Sequence, residues 1–287
     1  MAAAHPQAAT MFNYKGIIAL DLDGTLLNSG KELSQTNKDT LAQAASAGWA
    51  IVPTTGRFYG AIPQIVRELP FIRYAITVNG AEVADVTNGE VIYKAEIPYM
   101  QAVEMMSFMD NYPLIYDCYQ AGEAFMTADM KLHIDEMTEE FHYRKMLKEL
   151  RKPVDELKKF LLNKKQDIQK TQFVTNNPEV QKELLKILPQ KFEDIVISVT
   201  AKNNAEINNV RANKGEALWA LADYLGVPRE KTVAFGDAAN DISMIRAAGI
   251  GVVMANAGDD VKAVADYITL SNDEDGVAFA IREICLK

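Results

Sequence analysis

Apolar and polar positions fall in blocks along the first part of the chain. Ile17, Ile18, Ala19 and Leu20 make a continuous apolar run rather than an alternating one, which predicts a strand buried on both faces of a parallel sheet. Ser34 can cap a helix over residues 35–47, with Leu41, Ala44 and Ala45 on its apolar face and Gly48 ending it. A strand over 50–54, a helix over 59–69 and a strand over 74–78 follow, and Pro53 is tolerable because it falls at a strand end. Each strand runs out into polar residues: Asp21 and Asp23, then Thr55, Gly56 and Arg57, then Asn79 and Gly80. Such a βαβαβ series predicts a doubly wound parallel sheet.

After Ala81 the rhythm changes. Residues 82–93, interrupted by Thr87, Asn88 and Gly89, read as a hairpin. Helices over 99–110 and 131–162 alternate with strands over 114–119 and 170–175, and a helix over 179–188 precedes extended stretches at 195–200 and 205–210. From Lys214 the first rhythm returns, with a helix over 214–225 and a strand over 232–235 leading into Gly236, Asp237, Asn240 and Asp241. Helix 242–248, strand 250–254, a short helix near 260–265, strand 267–270 and helix 277–284 complete the pattern. The predicted fold class is α/β: a doubly wound, Rossmann-like core over 13–81 and 210–287, interrupted by an α+β domain over 82–209 and preceded by a disordered tail over 1–12.

Composition narrows the partners. A chain of 287 residues has room for a core and a second domain, and 48% hydrophobic residues suit an ordinary soluble protein. A net charge of −9 argues against nucleic acid, whose binders carry a basic surplus. Cys118 and Cys285 lack metal-ligand spacing and suggest no oxidising compartment, so a cytoplasmic location is expected. The first ten residues lack the basic start and apolar stretch of a signal peptide, and no segment approaches the ~18 apolar residues of a membrane span. His5, His133 and His142 read as solvated. The basic residues over 144–170, among them Lys148, Arg151, Lys152, Lys158 and Lys159, read as a solvated helix face.

The strand ends carry the candidate chemistry. In an open α/β sheet the carboxyl ends of the strands open into the ligand crevice. Asp21 and Asp23 on one side, with Asp237 and Asp241 on the other, would hold a hard divalent cation through oxygen ligands, and Mg²⁺ fits best. The Thr55 hydroxyl, the Gly56 N–H and the Lys214 ammonium suit the oxygens of a phosphate. Phosphoryl transfer uses all these parts.

Four segments in order, Asp21-Leu22-Asp23-Gly24-Thr25-Leu26, Thr54-Thr55-Gly56-Arg57, Asn213-Lys214-Gly215 and Gly236-Asp237-Ala238-Ala239-Asn240-Asp241, resemble the motifs of the haloacid dehalogenase superfamily of phosphatases, in its Cof-type branch. The resemblance implies that Asp21 is the nucleophile, taking the phosphoryl group as an aspartyl-phosphate, and that Asp23 is the general acid and then the base. It implies that Mg²⁺ is held by the Asp21 carboxylate, the Asp23 backbone carbonyl and Asp237, with Asp241 in support. Thr55, Gly56, Lys214 and Asn240 would hold phosphate, while Asn79 and Arg57 would face the substrate. Arg57 could equally pair with a carboxylate on the core surface. Ala238, where many relatives carry a polar residue, and Met254-Ala255-Asn256-Ala257, in place of a common Met-Gly-Asn-Ala, depart from the pattern without removing a proposed ligand.

Between Leu26 and Thr54 there is room for one crossover helix and little else, whereas the stretch from Arg57 to Lys214 can hold a whole domain. That placement resembles the superfamily's second cap type, with hinges expected near 81–84 and 208–213. The implied activity is Mg²⁺-dependent hydrolysis of a small phosphorylated metabolite such as a sugar phosphate. The alternatives are a phosphomutase, for which nothing keeps the second acid from activating water, and a silent ligand-binding module, against which Asp21, Asp23, Lys214 and Asp237 all stand. A dehalogenase is disfavoured because its reaction needs neither Mg²⁺ nor an acid at Asp23.

Overall fold

The computed structural model describes residues 13–199 and 202–287. The expected tail, His5 and the end of the expected strand at Thr200 lie outside the described residues. Contacts divide the chain into two compact units, the first formed by residues up to Arg57 with Ile62–Lys94 and Asn213–Lys287, the second by Phe58–Ala61 and Ala95–Ala212.

In the first unit a parallel sheet runs, edge to edge, through Tyr267–Ile268, Ile250–Val253, Thr232–Gly236, Gly16–Leu20 and Trp49–Pro53. Gly16–Leu20 has a partner strand on both sides and is buried at every position, which is why its sequence is apolar without alternation. Its register sets Leu20 opposite both Phe235 and Pro53, so the three strands end level. Asp21, Thr54 and Asp237 therefore leave the sheet at one edge.

Tyr74–Thr77 departs from the expected series. It meets its parallel neighbour only at the isolated pairing of Ile76 with Thr54, preceded by that of Ile72 with Ile51, and its full ladder is antiparallel, with Glu82–Asp85, which pairs in turn with Glu90–Lys94. Val83 packs with Tyr74 and Ile76 against Ala217, Leu218 and Leu221, so the hairpin buries its apolar side on the helix Lys214–Leu225. The hairpin expected in the insertion thus lies with the first unit, and the division falls after Lys94 rather than at 81. The helix expected over 59–69 is reduced to short turns at Tyr59–Ala61 and Gln64–Arg67, because Pro63 interrupts it. Ser34 caps Gln35–Ser46 by accepting from the Asn37 N–H, as its place before the apolar stripe predicts.

The second unit is α+β. Its six-stranded sheet runs Ile195–Ser198, Asn204–Asn209, Lys170–Val174, Ile115–Gln120, Glu123–Thr127, Arg151–Val154, with only the last pair parallel. Tyr99–Met109, Leu157–Lys164 and Pro178–Lys191 cover one face through Met105, Met106, Leu161 and Leu184. The helix expected over 131–162 is in fact Ala128–Leu132, Ile134–Met137, Phe141–Leu150, the strand Arg151–Val154, and Leu157–Lys164. Pro153 cannot donate to a helix and instead sits in the edge strand.

That strand turns Arg151 inward, which corrects its reading as solvated. Arg151 is buried, with Nε 2.7 Å from Asp117 Oδ2 and Nη2 2.8 Å from the Tyr119 hydroxyl. Lys170 is likewise buried and lies 2.8 Å from Glu206. Lys148, Lys152 and Lys159 are exposed, and so is His133, as expected. Cys118 and Cys285 are free and buried. Among the described residues no helix is long and apolar enough to cross a membrane.

Candidate active site

All ten predicted site residues belong to the first unit. Asp21 follows the central strand, and its N–H donates to the Phe235 carbonyl, which prolongs the parallel ladder by one residue. Beyond it the chain curls back, with Leu26 N–H donating to the Asp21 carbonyl and Leu27 N–H to that of Leu22. The curl needs Gly24, at φ +94°, where a Cβ would fall 2.4 Å from Asp237 Oδ2. Glycine therefore allows both the turn and the approach of the second acid loop.

Lys214 opens its helix under Asn213, whose side chain accepts from the Glu216 N–H. Its ammonium is wholly buried and lies 2.6 Å from Asp21 Oδ1 and 2.6 Å from Asp241 Oδ1. The other oxygen of Asp241 accepts from the N–H groups of Asp237 and Ala238, so both its oxygens are engaged in bracing the loop. Asp237 accepts from the Thr25 hydroxyl at 2.7 Å. Thr25 was not singled out as a site residue, although it stands in the first motif.

Asp21, Asp237 and Asp241 each offer an oxygen within 4.8 Å of the others. Burial pushes the Asp21 carboxyl up to about 8, with Lys214 pulling it down and Asp241 adding to the rise. Burial raises Asp237 as well, against the Thr25 hydrogen bond and with the repulsion of Asp241. Burial of the Lys214 ammonium works against its charge, but Asp21 and Asp241 outweigh it and hold the lysine protonated. Asp21 and Asp241 share one buried lysine with Asp237 close by, and the oxygen-only donor set of the three acids fits a hard cation that would supply the missing positive charge.

Asp23 does not join this group. Arg57 grips it with both ends of its fork, Nε 2.7 Å from Oδ2 and Nη2 2.9 Å from Oδ1, and Lys31 adds a contact at 2.9 Å. Burial favours the neutral acid, but the Arg57 and Lys31 hydrogen bonds outweigh it and hold Asp23 below the usual carboxylate range. Of the two readings for Arg57, the structure shows the carboxylate pair. Nothing in the sequence pointed to Lys31, which reaches Asp23 from a tight turn at φ +63°. Thr55 is buried, its hydroxyl accepting from the Arg57 N–H, and Asn240 is exposed and donates to Asn79 Oδ1 at 3.2 Å.

The haloacid dehalogenase-like hydrolase family matches residues 18–281, and so spans every site residue described. The chain belongs to that family. Phosphatase YwpJ of Bacillus subtilis is 30% identical over 93% of this chain and 99% of its own length. The 5-amino-6-(5-phospho-D-ribitylamino)uracil phosphatase YcsE of the same organism is 31% identical over 93% of this chain and 94% of its own. Among solved structures, that of a protein described as a subclass IIB sugar phosphatase, BT4131, superposes with a TM-score of 0.75 at 26% identity, covering 93% of this chain and 98% of the other. Like these relatives, this haloacid dehalogenase-like hydrolase is a phosphoric monoester hydrolase.

Proposed function

We propose that this phosphatase hydrolyses a small phosphorylated metabolite, with a sugar phosphate as the leading class, through an aspartyl-phosphate at Asp21. The observation that carries the proposal is the placing of Asp21 at the end of the central strand, fixed by the buried Lys214 beside Asp237 and Asp241. A carboxylate oxygen of Asp21 attacks phosphorus as the ester oxygen departs, and Asp23 gives that oxygen its proton. Water then attacks the phosphorus of the acyl phosphate while Asp23 takes the water proton, and Asp21 and inorganic phosphate are released.

Thr55, Gly56, Lys214 and Asn240 hold phosphate oxygens. Asp21, Asp237 and the Asp23 carbonyl would hold Mg²⁺, with Asp241 as brace, and a bound Mg²⁺ would offset charge among the acids and phosphate. With Arg57 and Lys31 paired to it, Asp23 is set as the base of the second step. Its delivery of a proton in the first step requires the Arg57 pair to open, which gives Arg57 a reason to turn toward the substrate. A sugar phosphate is supported by the description of BT4131, while the name of YcsE extends the class to other ribityl-like phosphomonoesters.

The test is acid quenching during turnover. Protein-bound phosphate labile to hydroxylamine should appear on the peptide holding Asp21, and Asp21→Asn should lose it along with turnover, by about a thousandfold or more. Turnover without trapped acyl phosphate, retained in Asp21→Asn, would overturn the mechanism.

A further inference from the structure

Val78, Asn79 and Gly80 are three consecutive residues with positive φ, at 51°, 58° and 95°. Asn and Gly tolerate that region, but a β-branched residue there is an outlier, and Val78 is completely buried. Hydrogen bonds hold the turn in place. Val78 N–H donates to the Arg57 carbonyl at 3.0 Å, and Asn79 N–H to that of Thr55 at 3.0 Å.

The same turn reaches the other phosphate-holding segments. Asn79 Oδ1 accepts from Asn240 Nδ2, and it lies 2.7 Å from where a Cβ on Gly56 would stand. A Cβ on Gly80 would fall 2.3 Å from the Asn213 carbonyl oxygen and 3.0 Å from the Lys214 backbone nitrogen. One strained turn thus abuts the Thr55 and Gly56 loop, Asn240 and the start of the Lys214 helix.

We infer that the Val78–Gly80 turn sets the spacing of the phosphate-holding groups, and that Asn79 is a positioning residue acting through Asn240 and Gly56 rather than on the leaving group. The inference rests on the assignment of Thr55, Gly56, Lys214 and Asn240 to phosphate under the proposed function. It replaces the expectation that Asn79 faces the substrate. Its physical basis is that a residue at φ +58° can be exchanged for glycine without backbone strain, so Asn79→Gly removes the side chain alone.

The experiment measures kcat/KM for an aryl phosphate and an alkyl phosphate, with inhibition by inorganic phosphate, in wild type, Asn79→Gly, Asn240→Ala and the double variant. Loss of one hydrogen bond predicts that Asn79→Gly lowers kcat/KM by about 3- to 10-fold, equally for both leaving groups, and weakens phosphate inhibition by a similar factor. The double variant should be no worse than Asn240→Ala, because the two residues act as one unit. Asn240 is exposed, so its variant does not endanger the core. A loss that depends on the leaving group, with phosphate inhibition unmoved or with additive single effects, overturns the inference. Activity that survives Asp21→Asn would instead sink the site assignment beneath it.

Discussion

Replacing Lys214 by Met removes the ammonium that lies 2.6 Å from both Asp21 and Asp241 while keeping most of the buried side-chain volume. A carboxylate left without its counter-charge must stay ionised in a buried site or take up a proton. With Lys214 present Asp21 is raised to about 8, so its proton is largely in place at pH 7 and the loss of the ammonium there falls on Asp241. Removing one partner of such a buried ion pair costs roughly 3–5 kcal/mol.

The sign follows from the direction of the shifts. An acid raised in the folded state contributes stability below its unfolded value and loses it as pH climbs through the folded value. Asp21 is already raised, from 3.8 to about 8, with Lys214 present, so metal-free wild type should weaken over that window and Lys214→Met should go on weakening above it. Trp49 and Trp219, the two tryptophans of the chain, both lie in the first unit, so their fluorescence follows the unit that holds the acids. Urea unfolding in excess chelator should show a deficit of about 3–5 kcal/mol at pH 7 that widens as pH climbs past about 8, where wild-type Asp21 ionises beside Lys214 and the variant offers it no counter-charge. Added Mg²⁺ should restore part of it. A deficit that does not widen between pH 7 and pH 9, or one below about 1 kcal/mol at pH 7, refutes the counter-charge argument.

Chelator should silence phosphate release and Mg²⁺ restore it, and Asp237→Ala should raise the Mg²⁺ concentration for half-activation by at least about tenfold; full activity in excess chelator would sink the metal assignment. Gly24→Ala places a Cβ 2.4 Å from Asp237 Oδ2 at φ +94° and should cost about 1–2 kcal/mol in backbone strain while lowering turnover at least about tenfold. Unchanged kinetics in a folded Gly24→Ala enzyme would show that the close approach does not matter. Asp85 is buried against Arg73 at 2.8 Å; burial alone would raise it, but bonds from Thr87 and Arg73 outweigh this and hold it below its ordinary value. Its contribution is therefore present above about pH 4 and lost as pH falls through the depressed value. Asp85→Asn should destabilise by about 1–3 kcal/mol at pH 7, with the difference narrowing in acid, and a pH-independent difference in urea midpoints would count against the pairing.

What the sequence disclosed, and what it hid, has a physical pattern. The run 17–20 is legible because a central parallel strand is buried on both faces, and Asp21, Thr55 and Asp237 are legible because they follow strands whose register makes them end level. The 82–94 hairpin was recognisable as a hairpin, but its own residues do not say which core Val83 will join; that is decided by Leu218 and Leu221 far along the chain. Arg151 and Lys170 were misread for a related reason. Charge argues for exposure until a partner is known, and Asp117 and Glu206 become partners only when the sheet is assembled.

The two acids of the first motif carry the same lesson into the chemistry. On an extended chain Asp21 and Asp23 would lie side by side, repelling each other or sharing a proton. The curl after Leu22 separates them instead, sending Asp21 to Lys214 and Asp23 to Arg57 and Lys31. Burial among other acids then raises Asp21, while the guanidinium lowers Asp23. Two identical side chains in one short motif thereby acquire opposite tendencies, and in the metal-free chain these run against the proposed roles: Asp21 must shed its proton to attack, which a bound cation would favour, and Asp23 must gain one, which needs the Arg57 pair to open. Those tendencies are set by burial and by Lys214, Asp241 and Arg57, which lie outside the motif, so the motif alone did not disclose them.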